Sequence, residues 1–416
     1  MSKPTVLSRP SISWRRNLTV VWFTELVAIV GFTVVIPLLP LYIPELGVEG
    51  QEEIRVWSGI VLSAHAVTMA IFGPIWGALS DRYGRKLMVE RAMFAGSALI
   101  ALMGLAQNVQ QLTLLRILQG ALTGTVTAAN ALVATSAPRE RVGSALGMLQ
   151  MAIYVGASAG PLLGGVIADT LGYRAAFWIT GMLLFSAALG VLFFVKEDFQ
   201  PSVRLIGDSP LANAARVALG RRLWGQLAPV LGSSPLLGLL GVCLLMRLGA
   251  RLLGPVLPLF VQTIAPPNAR VASLNGLISG VSAAAGAVGA LGLGWVGDRA
   301  DSRGILIACA LVSAVCYVPQ YFAADPIALL LWQIGTGLAM GGILASISAS
   351  LARLAPAGQE GIVYGLEATV VSVANAVGPM MGSAIAVWVG LRVPFLVAAG
   401  IYGLAGVAAF WLFPRR

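Results

Sequence analysis

The stretch IPLLPLYI, residues 36–43, is written a second time as GPVLPLFV, residues 254–261. Both prolines, two leucines and an aromatic residue keep their places, and the second copy stands at an offset of 218 from the first. A doubled stretch of this kind indicates that two parts of a chain fold alike. We therefore expect two similar halves.

Further pairs of identical residues extend the doubling. At the offset of 218 the pairs are Pro138/Pro356, Gly143/Gly361, Gly147/Gly365, Gly160/Gly378, Pro161/Pro379, Gly164/Gly382, Arg174/Arg392 and Phe177/Phe395. At an offset of 217 they are Gly77/Gly294, Asp81/Asp298, Arg82/Arg299, Gly120/Gly337 and Gly124/Gly341. Chance does not produce so many matches at nearly one offset, so the two halves of the chain are repeats of each other.

The composition places both halves in a membrane. Of the 416 residues, 58% are hydrophobic and 11% are charged, and the mean hydropathy is +0.86. A helix needs about 20 apolar residues to cross the hydrocarbon layer. Twelve such spans are predicted, at 18–43, 56–80, 87–106, 110–135, 143–168, 175–195, 235–263, 271–297, 304–323, 326–352, 361–388 and 393–413.

The basic residues predict the orientation, because loops rich in Lys and Arg stay on the cytoplasmic side. With the N-terminus inside, 19 of the 27 fall on the inner side. The four on the outer side are Arg55, Arg174, Arg270 and Arg392. We expect a multi-pass membrane protein with both termini in the cytoplasm. The net charge of +10 is then a topology signal, and no nucleic-acid partner is expected.

Six spans in each half give the two halves the same orientation. The predicted fold is all-α, with twelve transmembrane helices in two six-helix bundles that form parallel repeats. The N-terminal bundle is residues 1–195, a cytoplasmic linker is 196–234, and the C-terminal bundle is 235–416. Within the linker, a basic amphipathic stretch predicts a helix, either solvated or lying on the inner membrane surface.

Several motifs resemble those of the major facilitator superfamily. GALSDRYGRK (77–86) resembles its signature between spans 2 and 3, and GWVGDRADSRG (294–304) resembles a degenerate second copy. RILQG (116–120) is similar to the span 4 motif, and GASAGPLLGG (156–165) to the span 5 motif of the drug/proton antiporter branch. NLTVVW, LPLY, WSGIV and LMGLAQN look most like MdtG-type bacterial multidrug exporters.

The signature between spans 2 and 3 predicts a conformational gate. Five residues, Arg82 to Lys86, are expected to turn the chain, and Gly84 permits the bend. The resemblance implies that Asp81 meets the positive N-terminal end of span 11, near Gly361, while the cytoplasmic side is closed. The predicted gate residues are Gly77, Asp81, Arg82, Gly84, Arg85, Asp298 and Arg299; the alternative is a purely topological loop.

The motif in span 5 places Gly156, Gly160 and Gly164 on one helix face, with Pro161 removing a backbone hydrogen bond. This predicts a closely packed, bendable helix, although packing alone explains the same pattern. In span 4, Arg116 and Gln119 share a face. The resemblance links Arg116 to proton coupling.

Two intramembrane acids are candidates for proton coupling. Glu25 lies eight residues after Asn17, about 12 Å deep by helical rise, and the resemblance supports it. Glu367 lies at a similar depth in span 11. His65, the only histidine, is either a proton carrier or a hydrogen-bonded residue between helices.

Two arginines lie near the middle of span 7. Arg247 and Arg251 share a face, so they need a water-filled cavity or carboxylate partners, and Glu25 and Glu367 are the acids of similar depth. They either bind neutral or anionic substrates or form a structural ion pair.

These features predict a proton-coupled secondary transporter, a drug/H⁺ antiporter that exports lipophilic compounds by alternating access. One alternative is a carrier of an anionic small metabolite with the same fold. The other, an intramembrane enzyme, has no nucleophile motif, metal cluster or phosphate loop in its favour. The expected partners are a small-molecule substrate, protons and the lipid bilayer; we expect a monomer without cofactor or metal.

Overall fold

The computed structural model of the protein describes residues 14–138, 141–197, 232–299, 301–356 and 359–412. These ranges hold fourteen α-helices, one short 3-10 helix (Ile43–Leu46) and no β-strand, so the all-α class is confirmed. The first seven are α1 (Trp14–Tyr42), α2 (Gln51–Tyr83), α3 (Arg85–Met103), α4 (Val109–Leu122), α5 (Thr125–Ser136), α6 (Val142–Leu171) and α7 (Tyr173–Phe194). The others are α8 (Ser234–Leu252), α9 (Val256–Ile264), α10 (Val271–Arg299), α11 (Ser302–Phe322), α12 (Pro326–Leu354), α13 (Glu360–Trp388) and α14 (Val393–Leu412).

Each of the twelve predicted spans coincides with one helix or two. Ten stretches within the described residues are long and apolar enough to cross a membrane. The exceptions are α3, which carries Arg85, Lys86, Glu90 and Arg91, and the short pair α4 and α5. The protein therefore spans the membrane several times, and the number twelve stays a prediction.

Two of the spans are broken, where the sequence predicts continuous helices over 110–135 and 235–263. The first breaks between α4 and α5, where Gly124 takes a φ of +131°. Left-handed φ values of this kind suit glycine because it has no Cβ. The second breaks between α8 and α9, where Pro255 has no N–H to continue the helix.

The repeat has a counterpart in close helix packing. On α6, Gly156, Gly160 and Gly164 lie against Ile29, Thr33 and Val34 of α1. On α13, Gly378 lies against Arg251 and Gly382 against Leu252 of α8. The contacting residues are themselves repeat pairs, since Thr33 and Arg251, and Val34 and Leu252, stand at the same offset of 218. Glycine at these crossings lets the backbones approach closely, as in other membrane helix pairs.

Each half has its own hydrophobic core. One buried cluster comes from residues 18–195, joined by Leu259 of the other half. A second comes from residues 236–409. Of the predicted linker, residues 196, 197 and 232–234 are described. The basic stretch inside it lies outside the described residues.

The halves meet mainly along two helix pairs, α2 with α13 and α6 with α10, and α1 makes smaller contacts with α9 and α10. We call the end of the bundle where α1 ends and α2 begins the outer end, since the sequence predicts it outside. Near this end Gly59 of α2 lies against Pro379 and Ser383 of α13. Gly276 of α10 lies against Pro161 of α6 in the repeat-related contact.

Three of these four helices behave differently toward the opposite, inner end. Gly73 and Gly77 of α2, Gly147 of α6 and Gly365 of α13 are exposed. A Cβ added to any of them would meet no described atom within 4 Å beyond its own helix backbone and chain neighbours. The described residues therefore join the halves at the outer end and leave these inner surfaces uncovered.

Candidate functional site

A cavity of about 460 Å³ lies between the halves. The N-terminal half contributes residues of α1 and α6, namely Thr33, Ile36, Pro37, Tyr154, Ala157 and Pro161. Most of the lining comes from the C-terminal half, including Arg247, Arg251, Ser279, Ser282, Tyr317, Gln333, Thr336 and Met340. A cavity of this size, mostly apolar with a few polar groups, fits a small organic molecule.

The two arginines of α8 differ in their partners. The Nη2 atom of Arg247 is 3.8 Å from Oε1 of Glu367 on α13, with the side chains 23% and 16% exposed. Arg251, one turn further along α8, is exposed and lines the cavity. Its guanidinium has no hydrogen bond or ion pair to any described residue. The described lining contains no Asp or Glu, so Arg251 is an unneutralised positive charge facing the cavity.

A polar network on α10, α11 and α12 forms one wall of the cavity. Gln333 Nε2 donates to Gln320 Oε1 at 3.0 Å. Ser282 Oγ lies 3.1 Å from the Gln333 carbonyl and 3.3 Å from its Oε1. Thr336 Oγ1 lies 3.2 Å from the same Oε1. The network holds Gln333 in one orientation, and Ser282, Gln333 and Thr336 all line the cavity.

Sequence reasoning missed this network, yet the repeat contains the signal for it. At the offset of 217, Ser282, Gln333 and Thr336 correspond to His65, Arg116 and Gln119. The helices that carry these residues also cross alike in the two halves. Gly120 of α4 lies against the His65 carbonyl oxygen of α2, and Gly337 of α12 lies against the Ser282 carbonyl oxygen of α10.

In the N-terminal copy, Arg116 is buried and donates from Nη1 to Gln119 Oε1 at 2.6 Å. Its Nε donates to the Val61 carbonyl of α2 at 3.4 Å. Nδ1 of the partly buried His65 has no hydrogen-bond partner in the described part of the chain. None of the three lines the cavity.

Glu25 lies inside the N-terminal half. It is 2% exposed, and neither carboxyl oxygen has a hydrogen-bond partner among the described residues. The resemblance implies a place beside the cavity, but Glu25 is not part of its lining, which α1 reaches only from Thr33 onward. Thr33 lies two helical turns further along α1, and its Oγ1 is 2.6 Å from the Ile29 carbonyl oxygen and 3.0 Å from that of Gly156 on α6.

The span 5 motif contacts both α1 and the other half. Besides the glycine contacts with α1, the Pro161 carbonyl meets Gly276 of α10, and Ser158 donates to the Gly280 carbonyl at 3.0 Å. Pro161 also lines the cavity. The motif therefore lies where the two helix crossings and the cavity meet.

At the inner end the turn between α2 and α3 is shorter than expected. The sequence predicts a turn of five residues, but α2 extends to Tyr83 and α3 begins at Arg85. Gly84 alone makes the turn, with a φ of +102°. The positive φ at Gly84 reverses the chain within one residue. The α2 and α3 helices therefore extend to the residues on either side of Gly84. The Arg82 guanidinium lies 5.4 Å from the centre of the Tyr83 ring.

Glu197, just after α7, caps α3 and was missed by sequence reasoning. Its carboxylate accepts hydrogen bonds from the backbone N–H groups of Arg85 at 3.1 Å and Lys86 at 2.8 Å. A carboxylate at a helix N-terminus neutralises its unpaired N–H groups. The side chains of Asp81, Asp298 and Arg299 lie outside the described residues.

Comparison with known proteins identifies the family. The pattern of the Major Facilitator Superfamily matches residues 21–266 and 239–416. The chain belongs to this superfamily. Its members are membrane transporters, so the chain is a transporter rather than an enzyme.

The chain resembles bacterial proteins named "Multidrug resistance protein MdtG". It is 35% identical over 393 residues to the protein of Enterobacter lignolyticus, and the aligned residues cover 93% of this chain and 90% of the relative. It is 36% identical over 395 residues to that of Citrobacter koseri, with 94% and 93% covered.

Solved structures share the fold at low sequence identity. A bacterial homologue of the human lysosomal transporter Spinster, inward-facing and unoccupied, has a TM-score of 0.74 at 17% identity and covers 98% of this chain and 99% of its own. A D-xylose-proton symporter has a TM-score of 0.75 at 16% identity, with 96% and 97% covered. The predicted major facilitator fold is confirmed.

Proposed function

We propose that the protein is a multidrug exporter that expels lipophilic compounds in exchange for protons by alternating access. The observation that carries this proposal is a cavity between halves that are joined at the outer end and uncovered along their inner surfaces. A compound from the inner side would enter this cavity, and closure of the inner end would then open it outward. The names of the relatives support the substrate class.

Arg251 favours compounds with an apolar body and an anionic or neutral polar group. A charged side chain within a membrane normally has a partner, and an arginine fork suits a carboxylate or phosphonate. Arg247 has its partner in Glu367, which suits a structural pair. The same unpaired Arg251 favours the second candidate, a carrier of an anionic small metabolite.

Glu25 is the proposed proton carrier. An ionised carboxylate without a hydrogen-bond partner is costly to bury, which supports a bound proton on Glu25 in the state with the outer end closed. Arg116 would take part through Gln119 and the α2 backbone, and Glu367 is the second candidate acid. For exchange, Glu25 would have to release this proton to the inner side before the compound is carried outward, which requires a local rearrangement of α1 that gives the carboxyl group access to that side.

The proposed inner gate forms when the inner ends close. Asp81 would then lie at the N-terminal end of α13, where unpaired N–H groups favour a carboxylate. Gly77 has the open space that such an approach needs. We further propose placement in the bacterial inner membrane, cytoplasmic termini and a monomeric state.

The experiment compares Arg251→Gln with its neighbour Arg247→Gln in transport assays with cationic, neutral and anionic amphipathic compounds. Arg251→Gln is expected to lower transport of the anions about 10-fold or more, the value of one lost charged hydrogen bond, and to spare the cations. Arg251→Lys should restore part of the anion transport.

Arg247→Gln is the matched control, since it removes the same charge from the same helix. It is expected to reduce folded protein and transport of all compounds alike, because Glu367 loses its partner. Equal losses of anion and cation transport in Arg251→Gln would exclude a binding role for this residue.

A further inference from the structure

A carboxylate of one half caps a helix of the other half at the outer end. Asp169, near the end of α6, accepts a hydrogen bond from the Ala272 N–H at 3.3 Å through Oδ1 and from the Ser273 N–H at 2.6 Å through Oδ2. These N–H groups belong to the first turn of α10, which begins at Val271 and cannot pair them within the helix. Arg270, the residue before α10, cannot cap these N–H groups itself, because its side chain has only hydrogen-bond donors.

The second helix pair carries a contact of opposite sign. Arg55, on the first turns of α2, donates from Nη1 to the Ala386 carbonyl of α13 at 3.0 Å. Ala386 is in the last turn of α13, which ends at Trp388, where carbonyl groups lack partners within the helix. A guanidinium stabilises this negative end of the helix as a carboxylate stabilises the positive end.

The two contacts occupy repeat-related places. Arg55 corresponds to Ala272 at the offset of 217, and Ala168, the neighbour of Asp169, corresponds to Ala386 at the offset of 218. Each of the two repeat-related helix pairs, α6 with α10 and α2 with α13, therefore has one such contact at the outer end. In one copy a side chain of α6 binds the backbone of α10, and in the other a side chain of α2 binds the backbone of α13.

We propose that Asp169 and Arg55 together form an outer lock, which holds the halves closed at the outer end. Both contacts join one half to the other, so both must break before the cavity opens outward. The glycine contacts beneath them, Gly276 on Pro161 and Gly59 on Pro379, supply the close fit, and the two charged contacts set its free energy. The lock is an electrostatic counterpart, at the outer end, of the proposed Asp81 gate.

The test measures how often the outer end opens. Ser279, which lines the cavity, is replaced by cysteine (Ser279→Cys) in the full chain, in vesicles without substrate. A membrane-impermeant thiol reagent is added on the side of the membrane that faces the outer end. That side is identified beforehand with the variant Leu171→Cys, whose cysteine replaces the exposed last residue of α6 and reacts only with reagent added there. The three native cysteines are buried, and the chain without Ser279→Cys gives their background.

Asp169→Asn is expected to raise the labelling rate about 5- to 30-fold, the range for a charge lost at a partly buried helix end. Arg55→Gln should raise it as well, and the double variant should raise it further. A rate is measurable even when the open state is rare, so a small open population does not obscure the result.

Two matched controls carry the same chemistry within one half. Asp325 caps α12 through the N–H groups of Ile327 and Ala328 at 2.9 and 2.8 Å. Arg392 donates to the Tyr321 carbonyl at the end of α11 at 3.1 Å. Asp325→Asn and Arg392→Gln should leave the labelling rate unchanged. An unchanged rate in Asp169→Asn, or an equal rise in Asp325→Asn, would overturn the proposal.

Because the readout is opening without substrate or pH gradient, it does not depend on the proposed substrate class or on proton coupling. An exporter of any compound that alternates between two states would show the same effect. Loss of transport in the Arg251 variants and a faster opening in the Asp169 variant are therefore separate results.

Discussion

Glu25 is the single residue on which the proposed proton exchange rests, because its buried oxygens have no partner among the described residues. Glu25→Gln keeps the size and removes the titratable group. We expect folded protein that no longer accumulates substrate against its gradient when a pH gradient is imposed, while downhill exchange persists. The measurement is substrate flux in proteoliposomes.

A second acid provides the control for this variant. Glu90 of α3 lies 3.4 Å from Lys86, one turn away toward the inner end, and has no part in the proposed proton route. Glu90→Gln should retain uphill transport. If Glu25→Gln retains native uphill transport, Glu25 is not the proton carrier, and Glu367 becomes the candidate.

At the residue scale, the sequence indicates the contact between Arg116 and Gln119 because their spacing places both on one helix face. It gives no local sign of Gln320, Gln333 or Glu197, because uncharged amides and a loop carboxylate have no periodic pattern. Gln333 becomes visible only when the repeat is followed residue by residue to Arg116. That Arg247 contacts Glu367 while Arg251 contacts no carboxylate among the described residues depends on distances between helices, which spacing within one helix does not contain.

At the scale of helices, the crossing of α6 over α1 has a direct test. Gly160 lies against Thr33 and the Val30 carbonyl, so Gly160→Ala forces the helices apart. We expect a loss of about 1–3 kcal/mol in the free energy of unfolding, the usual cost of overpacking. Thermal unfolding of the purified protein measures it.

Gly147 of the same helix is the matched control, since a Cβ there meets no described atom within 4 Å beyond its own helix backbone and neighbours. Gly147→Ala should be neutral or stabilise the helix by up to about 1 kcal/mol. If Gly160→Ala is as stable as Gly147→Ala, the span 5 glycines do not act through packing.

The helices themselves are largely predictable, because hydropathy over about 20 residues identifies membrane spans. Their interruptions are less so. The breaks at Gly124 and Pro255 contain residues that elsewhere in this chain lie inside helices, as Pro161 and Pro379 do. Tertiary contacts decide which of these positions breaks a helix.

At the scale of the whole molecule, the repeat and the motifs predict the fold, and the family comparison confirms it. The state of the molecule is less predictable, because the proposed alternating access requires one sequence to encode both an outward-open and an inward-open arrangement of nearly equal free energy. Contacts at the outer end, such as that of Gly276 with Pro161, show that the outer end is closed in this structure.

We propose that protons drive export through the cavity between the halves. Flux in proteoliposomes with an imposed pH gradient, measured together with proton movement, tests this proposal. We expect an amphipathic compound to accumulate against its own gradient on the side from which the protons flow, and a gradient of the compound alone to move protons in the direction opposite to the compound. Accumulation that stops at equal concentrations whatever the pH gradient, with no proton movement, would contradict it.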